Sequence, residues 1–166
     1  MQIPLRFIST GYLQHKDNMR RIAQQLKEFI GLVEPQLSKI NENDSGLKLS
    51  TNEWSKKEIL GHLIDSATNN HQRFVRAAYK VADQFPPYDQ NEWVSIQQYN
   101  QVPWNTIVAF WVAYNTHLIH VIECIPNEAG SYPCSIGDEE PVRLDFVVKD
   151  YLCHLRHHID DIVNKS

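Results

Sequence analysis

Four long stretches of this 166-residue chain carry apolar side chains at helical spacing, and few segments alternate with the period of a strand. The first runs from about Asp17 to Ile40, with Met19, Ile22, Leu26, Phe29, Ile30, Val33 and Leu37 on one face. Pro35 lies inside it, where a missing N–H and a bulky ring kink or shorten a helix. The second runs from about Ser55 to Ala82. Ser55 and Glu58 form an S-x-x-E capping box at its start, and Ile59, Leu60, Leu63, Ile64, Ala67, Phe74, Val75 and Ala78 follow as its apolar face. The third, about Pro103 to Ile125, opens on a proline suited to a first helical turn and closes before Pro126. The fourth is about Val142 to Val163. Each stripe must bury itself against another element, so the expected architecture is all-α, one four-helix bundle spanning residues 1–166.

The connections are uneven. Asn41–Gly46 reads as a turn and Asn127–Pro141 as a loop rich in Gly, Ser, Pro and acids. Helices of a bundle are usually joined by ~2–8 residues, whereas about twenty separate the second stretch from the third. That segment, with Pro86 and Pro87 near its start, either crosses the length of the bundle or covers a site. Asn91–Tyr99 has room for a short helix of its own.

Composition narrows the function classes. Hydrophobic residues make up 42% and the formal net charge is -4, both ordinary for a globular domain. The sixteen Lys and Arg are scattered with no basic stripe, which argues against specific nucleic-acid binding. Met1–Arg6 is too short and too soon charged for a signal peptide. No apolar run approaches the ~20 residues of a membrane span. A cytoplasmic location is the expectation, with Cys124, Cys134 and Cys153 as free thiols.

Chemistry enters with the histidines. Eight is a high number for this length, and His154 and His158 stand four apart in the fourth helix, one above the other on a single face. On a wheel of ~100° per residue, Val147, Tyr151, Leu155, Ile159 and Ile162 define the inward arc. His158 falls within it, His154 at its edge, and His157 nearer solvent. Two inward imidazoles must be neutral or paired, because a buried charge is costly. Sharing a metal ion satisfies both, and such an ion needs a further ligand. His62 is the best candidate, although on its own wheel it sits beside the apolar face in a strip with Ser66, Asn69 and Arg73. His117 and His120 compete for the same role. His71 reads as surface.

Trp54-Ser-x-x-Glu58-Ile-Leu-Gly61-His62-Leu-Ile-Asp65-Ser, the Tyr88-Asp89 and Trp93 connection, Tyr114-Asn115-x-His117 and His154-x-x-x-His158 together resemble the DinB-like superfamily, in the branch of YfiT-type metal-dependent hydrolases. The resemblance covers Ser55 to the C-terminus, and the first helix fits in length and position. It implies a bundle in up-down-down-up order, with a long crossover between helices 2 and 3 because parallel neighbours need one. It implies a metal site formed by His62, His154 and His158. It implies a divalent transition metal, nickel or zinc, although imidazoles suit several metals. Some relatives are described as thiol S-transferases that use low-molecular-weight thiols.

Three neutral imidazoles leave coordination positions for water or substrate. An ion there lowers the pKa of a ligand and polarises a carbonyl or phosphoryl oxygen. Asp65 and Asp89 are the candidate general bases, with His117 behind them. Tyr88 and Trp93 are placed to wall a pocket, and Arg73 and Asn115 to bind a polar group of a small-molecule substrate. Two readings follow. One is a metal-dependent enzyme, hydrolase or thiol S-transferase. The other is a non-catalytic metal-binding or stress-associated module acting as a homodimer through an exposed helix face.

Overall fold

The computed structural model describes the backbone of residues 6–79 and 83–164, and the side chains of 19–79 and 84–164. Residues 1–5, read above for a leader, and the expected end of the second helix at Ala82 lie outside the described residues. Four long helices carry the fold: α1 (Arg6–Leu37), α3 (Lys56–Tyr79), α5 (Trp104–Cys124) and α6 (Leu144–Asn164). A short α2 (Glu42–Gly46) fills the turn after α1, and α4 (Gln90–Gln97) with a 3-10 turn (Tyr99–Gln101) fills the crossover before α5. The α1 helix begins well before Asp17 and ends at Leu37, two residues past Pro35. Pro35 has no N–H for the carbonyl of Gly31 and crowds it, which weakens the last turn.

Named contacts fix the direction of every helix. Leu37 at the end of α1 accepts from Trp104 Nε1 at the start of α5 (2.8 Å), so α1 and α5 run antiparallel. Ser55 before α3 bonds Asn100 just before α5 (2.7 Å), and His71 midway along α3 meets Tyr114 midway along α5 (3.0 Å), so these two are parallel. His62 lies beside His158 and Phe74 beside Tyr151, so α3 and α6 are antiparallel. The order is therefore up-down-down-up. In cross-section α1 and α3 each pack on both α5 and α6. Trp111, Tyr151, Phe74, Leu26, Leu60, Leu63, Leu118 and Leu155 fill the centre.

The α3–α5 parallelism explains the crossover, and the crossover is where sequence periodicity had least to say. Among the described residues it holds one strand, β1 (Asp83–Phe85), which pairs in parallel with β2 (Pro133–Ile136). β2 pairs antiparallel with β3 (Val142–Arg143). Strands of two to four residues cannot show an alternating pattern, and these come from segments about fifty positions apart. The little sheet ties the crossover to the loop before α6.

Local chemistry pins the start of α3. The Ser55 N–H donates to Glu58 Oε2 (2.8 Å) and the Glu58 N–H to Ser55 Oγ (3.2 Å), the reciprocal pair of a capping box. Buried Lys57 pairs with Glu42, whose other oxygen accepts from the Trp104 N–H (2.7 Å), so α2, α3 and α5 meet at one carboxylate. Among the described residues, α5 is the one helix long and apolar enough to cross a membrane by length and composition. Its apolar run is broken at Asn115, Thr116 and His117. Here its Ile107, Trp111, Leu118 and Ile122 are buried in the bundle.

One close approach locks the crossover onto α3. A Cβ on Gly61 would stand 2.1 Å from Tyr99 Cδ2 and 2.3 Å from its Cγ, so the ring lies directly on the helix backbone. Gln98 turns the chain there in the left-handed region (φ 51), which lets Gln97 and Tyr99 both reach Asp65. Gly61→Ala should therefore destabilise the protein by about 1–3 kcal/mol through overpacking. Urea unfolding measures this, and an unchanged midpoint would show that Tyr99 moves aside freely.

Candidate metal centre

The antiparallel seam of α3 and α6 brings His62, His154 and His158 together. One ligand atom from each lies within 4.8 Å of the other two. His62 is 1% exposed, far more buried than its helical wheel suggested, because α6 covers the polar strip that the wheel left at the boundary. His154 and His158 are half-buried. The Nε2 atoms of His62 and His154 stand 3.1 Å apart. Two nitrogens bound to one ion at ~2.0–2.1 Å stand about 3.0–3.4 Å apart at the usual angles, so the spacing fits a shared cation.

Neighbouring groups orient the rings. His154 Nδ1 is 3.3 Å from Ser66 Oγ, one turn along α3 from His62, which leaves Nε2 as its inward nitrogen. His158 Nδ1 is 3.5 Å from Asp161 Oδ2, and a carboxylate in that position holds a ligand imidazole in one tautomer. Trp54 packs its ring 5.2 Å from that of His62. His62 Nδ1 is buried with no hydrogen-bond partner.

All three rings are neutral at neutral pH. Burial first, then His154 and His158, lowers the His62 pKa to about 3. Burial first, then His158 and His157, lowers that of His154 to about 4. His158 is also lowered, again mainly by burial, with Asp161 acting against the shift. Neutral imidazole is the form that binds a metal. The donor set therefore fits a divalent transition ion held by His62, His154 and His158.

Two clefts reach the cluster. One of about 640 Å³ is bordered by Trp54, Gln90, His158, Asp160 and Asp161. The other, of about 240 Å³, is bordered by His62, Ser66, Arg73, Tyr88, Gln90 and His154. Burial pushes the Tyr88 hydroxyl pKa up, and Asp65 adds to the shift. Trp93 packs 5.1 Å from Tyr88 but is itself 37% exposed, so it backs the cleft wall and does not line it.

The remaining candidates sit elsewhere. Asp65 is buried and borders neither cleft. Its Oδ1 accepts from Tyr99 Oη (2.6 Å) and from Gln97, so the carboxylate anchors the crossover. Burial raises its pKa, and those two donors oppose the rise. Asp89 is the N-cap of α4, accepting from the N–H groups of Asn91 (2.9 Å) and Glu92 (3.2 Å). Asn115 is in the core, donating to Trp111 O (2.9 Å) and accepting from Tyr151 Oη (2.7 Å). His117 packs against His71, whose Nδ1 bonds Tyr114. This second cluster lies nine residues, or ~13 Å, along α3 from His62. His71 is therefore an inter-helix contact and not bare surface.

Sequence reasoning missed Asp161, Gln90 and Tyr99. Asp161 had a readable signal, an acid one turn beyond His158. Gln90 and Tyr99 had none, since both arrive from the crossover.

No protein-family model and no curated protein matches the chain. Solved structures do. YfiT from Bacillus subtilis, described as a probable metal-dependent hydrolase with an unusual four-helix bundle topology, aligns with a TM-score of 0.67 at 16% identity, over 98% of this chain and 87% of that one. The mycothiol-dependent maleylpyruvate isomerase aligns with a TM-score of 0.69 at 12% identity, over 89% of this chain and 60% of that one. This protein has the four-helix fold that the two share. It is the DinB-like fold, and the three-histidine cluster is carried on it.

Histidines kept neutral by folding make the metal-free protein sensitive to acid. Their folded pKa values lie below the ordinary 6.5, so the unfolded chain binds protons that the folded chain refuses. Stability should be complete above about pH 6.5 and decline as pH falls toward 4. Urea midpoints of metal-free protein between pH 7.5 and 4.5 test this against His154→Gln, whose curve should be flatter. Parallel curves would contradict the burial of neutral rings.

Proposed function

We propose that this protein is a metal-dependent enzyme acting on a small molecule, with His62, His154 and His158 holding a divalent ion such as nickel or zinc. The observation that carries the proposal is the convergence of three neutral imidazoles between two clefts. A structural site is normally closed by four protein ligands, and three leave room for chemistry. Such an ion supplies Lewis-acid polarisation of a carbonyl or a thiol.

The chain's own residues then divide the work. Ser66 and Asp161 fix the ring orientations of His154 and His158. Asp161, half-exposed beside His158, accepts a hydrogen bond at Oδ2 from that ring and is placed to take a proton from a reactant in the larger cleft. Tyr88 keeps its proton at neutral pH and offers the hydroxyl as a donor in the smaller cleft.

Transfer of a low-molecular-weight thiol suits this arrangement better than hydrolysis. Water as a reactant needs no cavity, whereas two organic reactants need one each, and Gln90 borders both clefts at the point between them.

Nickel or zinc should bind one per chain and raise the melting temperature. His158→Ala should weaken that binding by more than about tenfold, since ligand loss exceeds the 10- to 100-fold cost of disturbing a ligand's support. A screen of the metal-loaded protein on thiol-conjugation, ester and amide substrates then separates enzyme from module. Turnover that disappears in His158→Ala supports the enzyme. Stoichiometric metal with no turnover on the whole panel would favour the non-catalytic module.

A further inference from the structure

Arg73 is the unexplained group in the smaller cleft. It is only 9% exposed, yet it borders a cavity of about 240 Å³. Among the described residues its one hydrogen bond is a long one, from Nη1 to Asn70 Oδ1 at 3.4 Å. Its electrostatic neighbours are Cys134 and Tyr88, neither of them a carboxylate. A buried guanidinium remains charged and presents five donors in a fixed fork. Burying such a charge unpaired is costly, and proteins normally supply an acid. Asp150 also borders the cleft, but it is exposed and makes no ion pair with Arg73. Asn70 is itself committed to α3, its amide donating to Ser66 O (2.9 Å) and Ser66 Oγ (3.3 Å).

Placement completes the argument. Arg73 stands eleven residues after His62, three turns along the same helix, so the two share one face. Their separation along the axis is ~16 Å between backbones, and a long side chain leaning toward the helix N-terminus shortens the gap. Ser66 and Asn70 fill the rungs between them on that face, and Tyr88 closes the side. The cavity therefore has a buried cation at one end and two imidazoles at the other, with Ser66, Asn70 and Tyr88 between and the exposed Asp150 on its rim.

We propose that Arg73 recognises the carboxylate of a small acidic substrate, seating it in this cleft with its far end at the histidines. The fork matches a carboxylate with two parallel N–H···O bonds, which a point charge such as lysine does not provide. The volume admits a compact organic acid. Calling that acid a substrate rests on the metal-centre reading above; the anion site itself does not.

The test is binding, measured on metal-free protein so that no anion is held by an ion at the histidines. Pyruvate, succinate and benzoate are titrated by calorimetry beside the corresponding amides. At least one carboxylate should bind about tenfold or more tightly than its amide, the factor expected for charge-assisted hydrogen bonds. Arg73→Gln should remove that preference, and Arg73→Lys should restore only part of it. If Arg73→Gln does not fold, the wild-type comparison decides alone, aided by protection of the arginine from phenylglyoxal by the bound acid. No carboxylate preferred over its amide, or a preference that survives in Arg73→Gln, overturns the proposal. A preference that depends on Arg73 in a protein that binds no metal would uphold the anion site and sink the metal-centre reading.

Discussion

The structure turns on one seam, the antiparallel contact of α3 with α6, where three imidazoles are taken out of water together. Removing a neutral ring from water is tolerable, whereas removing a charged one is not. The seam therefore fixes the protonation of His62, His154 and His158 before any ligand arrives. It also brings the Nε2 atoms of His62 and His154 to 3.1 Å, a spacing that a shared proton or a shared cation bridges. Packing and chemistry are the same fact here: the helices must close for the cluster to exist, and the cluster is most comfortable when something positive is shared.

That seam is held from outside by the crossover. Parallel neighbours α3 and α5 cannot be joined by a short loop, so the chain returns along the bundle and meets α3 again beside the site. Tyr99 lies on the Gly61 backbone, and its hydroxyl, with Gln97, binds Asp65. Asp65 and Gly61 thus flank His62 in sequence while serving the crossover. The same returning segment supplies Tyr88 and Gln90 to the cleft walls. A connection made necessary by topology becomes the covering of a site.

Charge is distributed unevenly around the histidines. Acids, Asp160 and Asp161, border the larger cleft, and a buried guanidinium borders the smaller. The likeness to YfiT and to the mycothiol-dependent isomerase speaks to the fold at 16% and 12% identity.

Much of the molecule was written in local pattern. The helical stripes, the Ser55–Glu58 box and the inward-facing pair on α6 depend on residues a few positions apart, and such signals survive without tertiary information. The partners of the other candidate residues share the opposite property. Asp65 and Asp89 looked like bases because a carboxylate in sequence carries no sign of its partners; one proves to hold Tyr99 and Gln97, the other to cap α4. Asn115 looked free until Tyr151 and Trp111 occupied both ends of its amide. The strands escaped notice because they are two to four residues long and β1 meets β2 from about fifty positions away. Sequence by itself determined that there would be four amphipathic helices and two stacked imidazoles on the last. Only the tertiary structure decided that His62 would be buried against them and that Arg73 would line a cleft with no acid paired to it among the described residues, because burial and partnership are set by which helix face meets which, and no single helix contains that information.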